Sequence, residues 1–133
     1  GTVAELFHTG NKKLETTADG VTVTGTVSDT KGDVRKIPLN LQSSAYTLVA
    51  ADASKHIRTS ANVTIPNSVF TAGDAVTIIN QHSGDITLTQ GSGVTLWNAA
   101  NGTSGNRTLA TRGMATLIWT TASIAYISGA GLS

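Results

Sequence analysis

The stretch VTIINQHSGDITLTQGSGVTLW, residues 76–97, decides the fold class. It holds three triplets in which a threonine lies between two aliphatic residues: Val76-Thr77-Ile78, Ile86-Thr87-Leu88 and Val94-Thr95-Leu96. Successive side chains of an extended chain point to opposite sides, so each triplet places both aliphatic side chains on one face and the threonine on the other. Turn residues separate the triplets, which begin about 8–10 residues apart. Short, half-buried strands at this spacing predict an all-β fold, an antiparallel sandwich or a barrel-like head.

The C-terminal part of the chain continues this pattern. Residues Met114–Trp119 are apolar on both faces, which predicts a central strand, and Ile124–Ser128 are expected to form its hairpin partner. The glycine-containing tail Gly129–Ser133 is expected to be flexible. The one candidate helix is a turn at Ala50–Lys55, with Asp52 as its N-cap.

A change of pattern near residues 37–44 predicts two parts, an extended β arm over residues 1–40 and a head over residues 41–133. Apolar residues are scattered before the change, and strand signals are dense after it. An arm of this size cannot bury enough surface without disulfides, a metal or association. The chain has no cysteine, which leaves association. Either the arm packs on its own head or copies of it wind around each other, and both remain open.

Composition excludes several functional classes. Charged residues make up 13% of the chain and the net charge is +1, whereas soluble domains average about 25% charged residues. No basic cluster is larger than Lys12-Lys13 or Arg35-Lys36, so nucleic-acid binding is not expected. No apolar run is long enough to insert in a membrane. The chain opens at Gly1 without a methionine, which is typical of a fragment or a processed product.

The sequence contains no recognisable catalytic, cofactor or metal motif, so we expect a protein that is not an enzyme. His8, His56 and His82 are far apart in the sequence and form no metal-binding pair. Residues Asp29–Asp33 lack the alternating oxygen ligands of a calcium loop. Asp52, Ser54 and His56 lie too close in the sequence for a nucleophile, a base and an orienting group to converge on one atom.

Several segments of the sequence, taken together, resemble segments of bacteriophage proteins. The arm, FHTGNKKLETTADGVTVTGTVSDTKGDVRKIP at residues 7–38, is similar to segments of tail-fibre and virion structural proteins, particularly those of cyanophages and other marine phages. The phrases AYTLVAADASKHI, NVTIPNSVFTAGDAVTIIN, GNRTLATRGMATLIW and IAYISGAG resemble a β domain found at the C-termini of phage tail proteins. The resemblance implies a homotrimeric, extracellular fibre end on the virion, whose head contacts the host. It supplies no catalytic or binding residues.

Adhesion to a bacterial surface glycan or an outer-membrane receptor is the first functional hypothesis. Glycan recognition needs an aromatic face and neutral or basic hydrogen-bonding groups. The stretch from Trp97 to Arg107 offers these groups, with Asn98, Asn101 and Asn106 between them. If Val94 and Leu96 face the core, Trp97 faces outward, where it serves either a ligand or a trimer contact. Trp97 also departs from the family pattern, which has a smaller or polar residue there.

Other interpretations differ in what they predict. A purely structural virion protein, such as a trimerisation tip or a capsid or tail decoration, binds only other virion proteins. A carbohydrate-binding module from a secreted enzyme is a stable monomer. Trp119 and Tyr126 are both expected in the core or between subunits.

The triplet register predicts two different mutational costs. Leu88→Ala empties an inward position and is expected to lower the free energy of unfolding by about 2–5 kcal/mol. Thr87→Ala changes an outward position and should cost no more than about 0.5 kcal/mol. Urea unfolding of both variants measures the difference. The reverse order of costs contradicts the register, because a slip of one residue exchanges the two faces.

Overall fold

The computed structural model describes residues 3–133, which form β-strands and one short helical turn. This confirms the all-β prediction. The 3-10 turn covers Ala50–Asp52. The strands are β1 Glu5–His8, β2 Asn11–Thr17, β3 Gly20–Val23, β4 Ser28–Asp29, β5 Gly32–Asp33, β6 Leu39–Gln42, β7 Tyr46–Thr47, β8 His56–Thr59, β9 Val63–Ile65, β10 Ala75–Asn80, β11 Ile86–Gln90, β12 Thr95–Asn98, β13 Arg107–Thr121 and β14 Ile124–Leu132.

The arm ends at Lys36, because β6 already belongs to the head's sheet. The boundary therefore lies four residues before the predicted one at residue 40. Within the arm, β1, β2 and β3 form an antiparallel sheet, and β4 pairs with β5. Lys12 bridges Glu5 and Glu15 across β1 and β2, and the hydrogen bonds to these carboxylates raise the pKa of Lys12 to about 12.

Apolar side chains of the arm remain in contact with water. Among residues 3–36 none is buried, and Leu6, Phe7 and Val21 are each about 60% exposed. The described part of the arm thus has strands but no core of its own, as expected for a segment of this length without disulfides.

The head is a nearly closed, barrel-like sheet rather than two packed sheets. Its strands follow the order β6-β8-β10-β13-β11-β9-β7, and β14 adds to β13 and carries β12. The sheet is mixed, which refines the antiparallel prediction: β6-β8-β10 and β7-β9-β11 are parallel ladders. Strand β13 runs antiparallel to both β10 and β11 and joins the two ladders.

The core follows the predicted alternation. All six aliphatic residues of the three triplets are buried, whereas Thr77, Thr87 and Thr95 are not. Trp119 is fully buried and stacks on Phe70, with 4.0 Å between ring centroids. The prediction that Met114–Trp119 form a central strand and pair with a hairpin partner is confirmed by β13 and β14.

The tail is part of the sheet, so the prediction that it would be flexible is wrong. Strand β14 runs to Leu132, and Ser133 exchanges backbone hydrogen bonds with Thr108 at 2.9 and 3.0 Å. Gly129 lies opposite Ala115, so close that a Cβ atom would collide with the carbonyl oxygen of Met114. The glycine therefore permits close strand pairing here.

A buried carboxylate ties the first strands of the head together. Asp52, which is 1% exposed, accepts hydrogen bonds from Asn40 Nδ2 at 2.7 Å, from the Tyr46 hydroxyl at 2.8 Å and from the backbone N–H of Val49 at 2.9 Å. It lies inside the 3-10 turn, so its predicted N-cap role is wrong. The carboxylate oxygens of Asp52 bond to Asn40, Tyr46 and Val49, and not to Ser54 and His56, the residues that would complete a triad.

The Tyr46–Asp52 contact predicts a loss of stability at alkaline pH. Burial, and then the hydrogen bond to Asp52, raise the pKa of Tyr46 above its ordinary value of 10.0. A raised pKa in the folded state stabilises the fold below the unfolded value, and this contribution is lost as pH rises through the folded value. Urea unfolding between pH 8 and 12 should therefore show stability falling above about pH 10.

Two substitutions, Tyr46→Phe and Tyr126→Phe, isolate the contribution of the Tyr46–Asp52 contact to stability. Tyr46→Phe should lower stability at neutral pH by about 1.5–3 kcal/mol, the range for hydrogen bonds to charged groups. The gap to the unmutated protein should then narrow above about pH 10. Tyr126→Phe removes the only other tyrosine hydroxyl and is the control. Lys12 and Lys36 are common to all three proteins, so their raised pKa values cancel in the comparison. A constant gap across the pH range contradicts the assignment.

Candidate functional site

Two aromatic residues lie side by side on the outer face of the head. Trp97 of β12 is directly opposite Tyr126 of β14 in parallel register, and Tyr126 is opposite Ile118 of β13. Residues opposite each other in a sheet share a face. Tyr126 is 44% exposed and Ile118 is 51% exposed, while Trp97 is half-buried. The three side chains form a row of apolar surface that the head leaves open.

A shallow groove lies beside Tyr126 and Ile118, and we call it the Tyr126 groove; Trp97 is next to Tyr126 but is not a lining residue. Its lining residues combine apolar surface with three hydroxyl groups, those of Thr116, Tyr126 and Ser128, and carry no charged side chain. The lining residues are Ala99, Thr116, Ile118, Tyr126, Ile127 and Ser128. Such a surface suits a ligand with both apolar patches and hydroxyl groups.

The loop of residues 99–106 borders the groove and is held by its own hydrogen bonds. The Asn101 side chain accepts hydrogen bonds from the backbone N–H and hydroxyl of Thr103 at 3.0 and 2.7 Å. The Asn98 side chain accepts one from the N–H of Ala100 at 2.9 Å. Arg107 Nη2 donates to the Thr103 carbonyl at 2.6 Å. These contacts define the conformation of the loop before any ligand is bound.

The five ligand-binding residues predicted from the sequence differ in how far their side chains are exposed to solvent. Trp97 faces outward as expected, and Asn101 and Asn106 are exposed. Asn98 and Arg107 are only 3% and 8% exposed, so in this conformation they support the loop and offer little surface to a ligand. The side-chain oxygen of Asn106 accepts a hydrogen bond from the N–H of Gln90 at 2.9 Å, which ties the loop's end to β11. No observation tests receptor contact by these residues, and it stays a prediction.

Sequence reasoning did not include Tyr126 in the site. It placed Tyr126 with Trp119, in the core or between subunits, and the structure excludes the core. The alternation of side chains along a strand could have placed Tyr126 on the outer face. With Ala125 and Ile127 inward, the residue between them must face out. The sequence could not show that β14 lies beside β12, because that pairing joins segments distant in the chain.

The described part of the chain offers no metal centre and no membrane-spanning helix. Among residues 3–133, no three histidine, cysteine or acidic residues are grouped closely enough to hold a metal ion. Over the same residues, no helix has the length and apolar character required to cross a bilayer. No protein-family model, curated protein or solved structure matches the chain.

Loss of the Arg107 tether should loosen the loop without unfolding the head. Arg107→Met keeps an apolar stem but removes the donor to Thr103, so amide exchange at residues 99–106 should accelerate. Exchange in β10 and β13 should change less. Hydrogen exchange followed by mass spectrometry measures the loop, β10 and β13 separately. Arg112→Met, at an exposed arginine of β13, is the control. Equal acceleration in all three regions would mean that Arg107 supports the whole head.

Proposed function

We propose that the chain is the distal module of a bacteriophage tail fibre, an adhesin that binds a host-surface glycan or outer-membrane receptor without chemical change. It acts outside the cell, on the virion, as a homotrimer. The phrases that resemble phage tail proteins support the virion role, and the all-β architecture is compatible with it. The observation that supports the binding role is the pairing of half-buried Trp97 with exposed Tyr126, beside a loop held by its own hydrogen bonds.

The chemistry of the Tyr126 groove favours recognition of a sugar. A sugar ring has an apolar face that can stack on an aromatic side chain, and its hydroxyls can pair with the neutral groups nearby. Thr116, Ser128 and exposed Asn101 supply such groups at or next to the groove. A single shallow groove gives weak binding. Three heads on one fibre raise the effective affinity because the second and third contacts are intramolecular.

A purely structural virion role is the second candidate, and one observation favours it. The arm leaves Leu6, Phe7 and Val21 largely exposed, and the head does the same with Met114 and Ile118. Exposed apolar surface of this extent is typical of protein–protein contacts. A trimerisation tip or a capsid or tail decoration would use it for other virion proteins and would bind no host ligand.

Adsorption measurements separate the two roles. Trp97→Ala, Tyr126→Ala and Asn101→Ala each remove a group at the groove or its border. We expect each aromatic variant to bind host cells or glycan arrays at least about tenfold more weakly, which corresponds to about 1.4 kcal/mol. Asn101→Ala should have a smaller effect because that side chain also supports the loop. Thr87→Ala, an outward change on β11, is the matched control and should bind normally.

The mass of each variant must be measured alongside its binding. Normal adsorption by both aromatic variants, with mass and fold unchanged, contradicts the groove as the receptor site. Binding of the unmutated chain to virion components but to no cell or glycan favours the structural role. A Trp97→Ala protein that loses its oligomeric mass identifies Trp97 as an interface residue.

A further inference from the structure

A second groove lies on the same outer face, nearer the start of the head, and we call it the Met114 groove. Its lining residues are Ile37, His56, Thr77, Ile79, Met114 and Thr116. The hydroxyls of Thr77 and Thr116 lie 2.9 Å apart and pair with each other, and His56 Nδ1 donates to the Ile37 carbonyl at 2.9 Å. The two threonine hydroxyls and His56 Nδ1 thus already have partners within the chain, which favours an apolar occupant over a hydrogen-bonding ligand at these groups.

Exposed leucines border the groove. In the sheet register Leu41 of β6, Arg58 of β8, Ile79 of β10 and Met114 of β13 form one row. Leu39 lies in the next row, opposite His56. The outer face therefore combines a groove with protruding apolar side chains beside it.

The exposed apolar side chains supply part of the area that an interface needs. Ile37, Leu39, Leu41 and Met114 are 64%, 49%, 58% and 52% exposed. At on the order of 150 Å² for a large apolar side chain, they expose about 300–400 Å². A standard interface buries about 800 Å² per partner, of which a little over half is apolar. In a ring each chain makes two contacts, so Leu39 and Leu41 bring about 160 Å² of apolar surface to one contact and Ile37 and Met114 bring about 170 Å² to the other, roughly a third of the apolar area of a standard contact.

Charge and connectivity point to a second copy of this chain as the occupant. The two rows carry one permanent cation, Arg58, and no carboxylate, so copies meet with little repulsion. Ile37 is the first residue of the head. Copies that associate through their coreless arms bring their Ile37 residues together, and the groove that contains Ile37 comes with them.

We propose that the Met114 groove is the contact surface between copies of this chain, with Leu39 and Leu41 of one head packed into the groove of the next. This assignment deepens the proposed trimeric function and rests on it. A knob on one copy that fills a groove on its neighbour is a heterologous contact, which gives a ring where the rotation between copies closes and an open filament where it does not. Three copies form the smallest such ring.

A charge placed in the groove tests the proposal. Met114→Lys changes an exposed position, so the single chain should still fold, but the ammonium group would have to be buried at the contact. Light scattering of the full chain should give about three times 13.6 kDa for the unmutated protein. On dilution the variant should fall to the mass of a single chain at concentrations where the unmutated protein keeps its full mass, because only the coreless arms then hold the copies together. Thr108→Lys puts the same charge on an exposed position of β13 outside the groove and should keep the full mass.

Cross-linking gives a second test that does not depend on disruption. The chain has no cysteine, so introduced thiols are the only ones present. The double variant Leu41→Cys/Met114→Cys, treated with a short bismaleimide, should give covalent species up to three chains. Each single variant should give covalent dimers at most, because a copy with one thiol can be linked to only one other copy.

Several outcomes overturn the assignment. These are a single-chain mass for the unmutated protein at all concentrations, full mass for Met114→Lys on the same dilution, and no covalent trimer from the double variant. If Met114→Lys keeps its mass but loses adsorption to cells, the groove is a receptor site. If the mass results hold while the Tyr126-groove variants adsorb normally, the contact surface stands and the proposed receptor site fails.

Discussion

The head depends on strand β13, which hydrogen-bonds to strands from both parallel ladders. Residues Arg107–Leu109 pair with β11, and Met114–Ile118 pair with β10. Between them lies Arg112, with a positive φ of 62°, and there the strand leaves one ladder for the other. Within residues 3–133 no other strand pairs with a member of each ladder. Because β13 is central, its inward residues Leu117 and Trp119 are fully buried and form the middle of the core.

The outward residues of the same strand explain why the head has two grooves. Met114 belongs to one groove and Ile118 to the other, and Thr116 between them lines both. A strand paired on both sides is rigid, so the two grooves have a fixed spacing and direction. If copies meet through the Met114 groove, the Tyr126 grooves of a trimer are thereby presented in one fixed arrangement. A fixed arrangement of weak sites is the condition under which avidity is gained.

The elements that local alternation defines could be predicted from the sequence. Burial of Ile86, Leu88 and Leu96 follows from period-2 parity, and the β13–β14 hairpin follows from two apolar runs with a turn between them. The parallel ladders could not be predicted in this way. Pairing of Leu39 with His56, or of Tyr46 with Val63, joins segments separated by another strand and a loop, and no short sequence signal specifies it. The ordered tail was missed for the same reason.

The candidate site shows a similar division between local and distant information. Trp97 could be placed outward by parity alone, whereas its neighbour Tyr126 comes from the far end of the chain. The burial of Asn98 and Arg107 was missed because polar residues in a Gly/Asn-rich loop are ordinarily exposed; here they bind the loop's own backbone. This internal pairing bears on the proposed receptor site. A loop whose conformation is already defined would lose little entropy on binding, so the few accessible groups at Trp97 and Asn101 would contribute more net affinity to a receptor contact. Substitutions at the exposed positions can then alter the ligand without disturbing the residues that hold the loop.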